Sequence, residues 1–140
     1  MRSLVRSAVV LIVSFGIGGG ASAGKAHYKT VTVCAVLSNP KAYLRSYVAI
    51  DADVLADGRH GTILTDKTCP NEGLPLDYPQ PKADHSVADF EDAISSGGTM
   101  NKSVSGRFIG RVRRDTTEKR IYYSLLSVQN LSVKVLPESR

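Results

Sequence analysis

Cysteine is scarce in these 140 residues: Cys34 and Cys69 are the whole supply. No second pair is present to build a zinc site, and 35 positions separate the two, far from the C-x-x-C spacing of a redox-active thiol. Histidine is equally sparse. His27, His60 and His85 are scattered, and none has the i, i+2 or i, i+4 partner that metal ligation by one strand or helix uses. The chain also lacks a G-x-S-x-G elbow, a phosphate-binding loop and a dinucleotide fingerprint. The reading is therefore of no catalytic residue, no metal and no cofactor. Long apolar runs are missing too: none reaches the roughly 20 residues a membrane-spanning helix needs.

What is present begins with a targeting pattern. Arg2 and Arg6 precede an apolar run from Ala8 to Phe15, and Ala21-Ser22-Ala23 closes it, the three parts of a cleavable signal peptide. Residues 1–23 are thus expected to be removed on export to the periplasm or beyond. Residues 24–140 have the length of a single domain. With Arg2 and Arg6 gone, the net charge falls from +5 to about +3, well short of a dedicated nucleic-acid binder. Its distribution is uneven, because ten acids lie between Asp51 and Asp92 and seven cations between Lys102 and Arg120. In an exported chain the two cysteines read as a disulfide, and closing a loop of this length stabilises by roughly 3 to 4 kcal/mol.

Periodicity supplies the elements. From Thr30, Val33, Val36, Leu37, Tyr43 and Leu44 fall at helical spacing, with Thr30 or Thr32 as cap and Asn39-Pro40 as a break. Val31, Val33, Ala35 and Leu37 alternate equally well as a strand. Tyr47 to Ala56 alternates cleanly, Asp57-Gly58 marks a turn, and Gly61 to Asp66 returns, which predicts a hairpin. Lys67 to Asp84, with Pro70, Pro75, Pro79 and Pro81, is expected to be one long loop. Ser86 then opens a helix, with Asp89 completing a capping box, Val87, Phe90 and Ile94 as its apolar stripe, and Gly97-Gly98 as its stop. Lys102 to Arg114 alternates again with Gly106 and Gly110 on the inward side, the mark of a sharply bent strand. Asp115 to Lys119 makes a turn, and Arg120 to Tyr123 followed by Ser127 to Val135 supplies one long final strand or two short ones. The sum is a mainly β fold: a small barrel of about five strands with an N-terminal helix, one further helix and one disulfide.

Three stretches carry a resemblance. Val33-Cys34-Ala35-Val36-Leu37-Ser38-Asn39-Pro40-Lys41-Ala42-Tyr43, Tyr47-Val48-Ala49-Ile50 and Leu64-Thr65-Asp66-Lys67-Thr68-Cys69-Pro70 together resemble small exported bacterial proteins with an OB-like barrel and no established activity. The resemblance implies that the N-terminal element is a helix and that the disulfide ties it to the loop after the second strand. It covers about the first half of the mature chain. Two departures stand out: Leu44-Arg45-Ser46 replaces a Gly-Lys common before the first strand, and Ala52 stands where glycine is common.

Asp51 and Asp53 share the outward face of their strand and could form a carboxylate pair, but an OB-like topology would set Arg107, Arg111 and Arg113 beside them, so ion pairing is expected. The best candidate binding surface is the cluster Arg107, Arg111, Arg113, Arg114, Lys119 and Arg120 with Tyr122 and Tyr123, of which only one tyrosine can point outward. Such a basic, aromatic face suits an anionic polymer or a protein partner, in a module that is not an enzyme. The alternative is a metal-dependent phosphoester hydrolase built on Asp51, Asp53, Arg107 and Arg111. Arginines left free of Asp51 and Asp53 would favour the anionic ligand.

Overall fold

A computed structural model describes residues 26–78, 84–95 and 97–137. The expected signal peptide, Pro79, Pro81 and Ser96 lie outside the described residues. In chain order the elements are β1 (Lys29–Val31), α1 (Val33–Ser38), a 3₁₀ turn (Pro40–Ala42), β2 (Tyr47–Ala56), β3 (Thr62–Thr65), β4 (Gly73–Asp77), α2 (His85–Ser95), β5 (Lys102–Arg114) and β6 (Ile121–Val135). β2 pairs antiparallel with β3 at one end and with β5 along most of its length. β3 pairs with β4, β4 runs parallel to β6, and β6 returns to β5. That circuit closes a five-stranded, OB-like barrel with two helices, the architecture expected. Closure leaves no long exposed edge among these strands.

At the N-terminal side both readings of the pattern are used in succession. Lys29–Val31 lies parallel to the start of β2. Thr32 then turns the chain, and its Oγ1 accepts the Ala35 N–H at 3.0 Å, so the cap is Thr32 rather than Thr30. Pro40, which has no N–H to give, opens the 3₁₀ turn. Cys34 on α1 is bonded to Cys69 in the turn after β3, with 5.9 Å between their Cα atoms, the tie the resemblance implied.

Two expectations need correction. The segment from Lys67 to Asp84 is not one loop, because β4 runs through it and forms a wall of the barrel. Its proline hid it: Pro75 pairs only with Ile63 of β3, and β6 comes alongside only from Leu76, so Pro75 sits at a locally open edge where a missing N–H is tolerated. Nor does Ser86 cap α2. Asp84 does, its Oδ1 accepting the Ser86 N–H at 2.8 Å, while Ser86 Oγ accepts the Val128 N–H at 2.9 Å and ties the helix to β6. His85 is the first residue of α2. Val87, Phe90 and Ile94 are buried as expected. Phe90 meets Phe108 edge-on at 5.3 Å and closes one end of the barrel. Gly98 ends the turn after α2 with φ +64°, and a Cβ there would fall 2.1 Å from the Ala56 carbonyl oxygen, so no other residue fits.

β5 bends where its glycines lie: its register with β6 shifts between Ser105 and Arg107 and again between Ile109 and Gly110. Its inward residues Val104, Phe108 and Val112 pack with Ile50, Leu64, Leu74 and Leu125 in the core. Tyr123 belongs to that core as well, fully buried, and is not on the candidate binding surface. Its hydroxyl lies 2.7 Å from the Val48 carbonyl and 2.9 Å from that of Phe108, to which it donates. Gly110 makes room for the ring, since a Cβ there would stand 2.8 Å from it and 2.3 Å from the Ser124 carbonyl oxygen. The inward position of Tyr123 forces Tyr122 onto the opposite, outer face.

Candidate functional site

The outer face of the β2–β5 pair sets Asp51 opposite Arg107, Ala49 opposite Ile109, and Tyr47 opposite Arg111. Arg107 is paired through both terminal nitrogens: Nη1 donates to Asp51 Oδ2 at 3.0 Å and Oδ1 at 3.3 Å, and Nη2 donates to Thr30 Oγ1 at 2.7 Å. Asp51 is 62% exposed, so the pair stabilises by no more than about 1 kcal/mol. It nevertheless removes Arg107 and Asp51 from the set of free charges. Ala49 and Ile109 are buried although they face outward, which gives this side of the sheet an apolar floor between the charged rows.

Arg111 behaves differently. Its guanidinium carbon stands 4.4 Å from the centroid of the Tyr47 ring, a cation–π contact, and it has no carboxylate partner among the described residues. Tyr28 lies beyond Tyr47 at 6.4 Å between ring centroids. Two residues on, Arg113 is exposed and sits opposite Tyr122 of β6, which is half-buried.

From Arg111 the surface opens into a groove of about 800 Å³ lined by Leu44, Arg45, Arg111, Arg113, Arg114, Asp115, Thr116 and Lys119. Arg45 enters from the segment before β2, which is pinned to β5 by the Arg45 N–H donating to the Val112 carbonyl at 2.9 Å. The groove's carboxylate, Asp115, is committed to its own turn. Its Oδ1 accepts the N–H groups of Thr117 at 2.6 Å and Glu118 at 2.8 Å, and these hold its carboxyl below the usual range. Among the described residues, none of the groove's five cations has an ion-pair partner. Arg45 and Lys119 both hold positive φ, +66° and +57°. That conformation costs a residue with a Cβ about 1 kcal/mol.

The structure therefore divides the cluster expected from the sequence. Arg111, Arg113, Arg114 and Lys119 share the groove, whereas Arg107 is paired away and Tyr123 is internal. Arg120 and Tyr122 line a neighbouring groove with His60, Asp77, Asp115 and Glu118, where Glu118 lies 3.8 Å from Arg120. The sequence reading missed Arg45. Its signal was the departure at Leu44-Arg45-Ser46, where a cation holds a backbone position that suits glycine.

Acidic residues gather elsewhere. Asp51, Asp53, Asp66, Lys67 and Arg107 line a cleft of about 390 Å³ at the other end of β2. Asp66 is engaged by the N–H and hydroxyl of Thr68. At the hairpin tip Asp57 accepts from the backbone of Arg59 and His60 and contacts the His60 ring, which keeps its carboxyl well below the ordinary range. Among the described residues no group of three or more His, Cys, Asp or Glu is placed to hold a metal ion. No helix among them is long and apolar enough to cross a membrane. Compared with known proteins, the chain matches no family model and no curated protein.

Proposed function

We propose that this protein is a non-enzymatic binding module that takes an anionic polymer into the groove between the Arg45 segment and the β5–β6 turn. The observation that carries the reading is five cations, Arg45, Arg111, Arg113, Arg114 and Lys119, around one groove with no ion-pair partner among the described residues. Unpaired like charges repel one another, and a ligand that supplies negative charge relieves that repulsion. Four of the five are arginines, whose planar forks match phosphate, sulfate or carboxylate oxygens two at a time. Backbone strain at Arg45 and Lys119 supports the same reading, because two charged side chains are held in place at a conformational expense. Export through the signal peptide of residues 1–23 completes the proposal. It is supported by the Cys34–Cys69 disulfide, which suits an oxidising compartment, and by the resemblance to exported bacterial OB-like proteins.

The test is retention on immobilised heparin and on single-stranded DNA across a salt series. If all five cations meet anionic groups, the logarithm of affinity falls with the logarithm of salt at a slope near −3.5, from about −0.7 per contact. Arg113→Ala, Arg114→Ala and Lys119→Ala combined should bring that slope to about −1.4. Arg107→Ala, which removes a cation already paired, should change it little. No retention on either matrix at about 50 mM salt, where such contacts are strong, would overturn the proposal.

A further inference from the structure

Resting on that reading, we propose that the groove's ligand is single-stranded nucleic acid, its phosphates on the arginines and its bases stacked on Tyr47. Charge alone does not separate a nucleic acid from a sulfated or uronic polysaccharide; flat aromatic surface beside the charge does. Tyr47 is 46% exposed although it packs at 4.4 Å under the Arg111 guanidinium. A ring so placed joins the cationic groove to a solvent-facing aromatic surface, and Tyr28 extends that surface on the far side of Tyr47. The stack also orients Arg111, whose Nε is buried with no hydrogen-bond partner among the described residues, so the side chain is positioned by a ring and not by a carboxylate. Across β5, Arg113 stands in register with the half-buried Tyr122 of β6, which lines the neighbouring groove. A backbone-tracking row of cations with aromatic rings beside it is the arrangement that binds single strands with little sequence preference.

The experiment measures fluorescence anisotropy of the purified, disulfide-bonded protein with a labelled oligothymidylate and with an abasic phosphodiester strand of equal length. Heparin serves as competitor. Wild-type protein should bind the thymidylate about ten-fold more tightly than the abasic strand. Tyr47→Ala should erase that difference while changing the salt slope of abasic binding by no more than the one contact of the Arg111 it orients, about 0.7, and Tyr47→Phe, which keeps the ring, should restore both. The chain contains no tryptophan, so tyrosine emission reports on the same contact: thymidylate should quench it, and the quench should shrink in Tyr47→Ala. Equal affinity for the two strands, or tighter binding of heparin at matched charge, would overturn this inference and leave the anionic-polymer reading standing. Failure of every polyanion to bind would remove both.

Discussion

Replacing Tyr123 by phenylalanine removes one oxygen from the barrel's centre, and the structure sets the size of the loss. The hydroxyl lies within hydrogen-bond distance of two carbonyls, Val48 on β2 and Phe108 on β5. It has a single proton, so one bond at a time is strong. Losing that bond and leaving a buried carbonyl less well satisfied costs about 2 kcal/mol. For a domain of this size a urea dependence of roughly 1 to 1.5 kcal/mol per molar puts the midpoint about 1.5 M lower. Tyr122→Phe, on the outer face, should cost under about 0.5 kcal/mol. Gly110→Ala should cost more than either, about 3 kcal/mol, because the added methyl meets both the Tyr123 ring and a backbone oxygen that cannot step aside. Alkaline titration gives an independent check. Burial raises the Tyr123 phenol above its ordinary value of 10.0, so its contribution is complete below pH 10 and is lost as pH rises beyond that point. Wild-type stability should decline there, and Tyr123→Phe should flatten the decline. Equal midpoints for Tyr122→Phe and Tyr123→Phe in urea would refute the assignment of Tyr123 as the internal ring.

Cys34→Ser with Cys69→Ser opens a loop spanning 35 positions and should lower unfolding free energy by roughly 3 to 4 kcal/mol in calorimetry or urea, with a loss below about 1 kcal/mol contradicting the tie. In acid the direction is opposite to that of the phenol. Asp57, Asp66, Asp84 and Asp115 are all held below the ordinary carboxylate value of 3.8 by donors within their own turns. Their stabilisation is complete above that value and is lost as pH falls below it, so the melting temperature should drop between about pH 4 and 2, and less so in Asp115→Asn.

The barrel was legible in the sequence because its long strands obey a period of two. Tyr47–Ala56 and Lys102–Arg114 were read with the ends they have, and the inward glycines foretold the bend in β5. β4 was not legible, since Pro75 argues against a strand wherever both neighbours are assumed present, and only the topology shows that one is missing there. The site was legible in composition but not in pairing. Arg107 and Arg111 are alike in the sequence, outward and four residues apart; register alone gives one to Asp51 and the other to Tyr47. Arg45 lay hidden for a third reason, that a single cation before a strand has no pattern, and its meaning comes from its backbone. At φ +66° a glycine would relieve about 1 kcal/mol of strain. Arg45→Gly should therefore leave the melting temperature unchanged or slightly higher while reducing retention on heparin and making the salt slope shallower by about 0.7. Stability and binding would then move in opposite directions at one residue, as they must if the arginine is kept for its charge. A variant that loses stability along with binding would instead make Arg45 a structural residue, and the groove's charge a by-product of the fold.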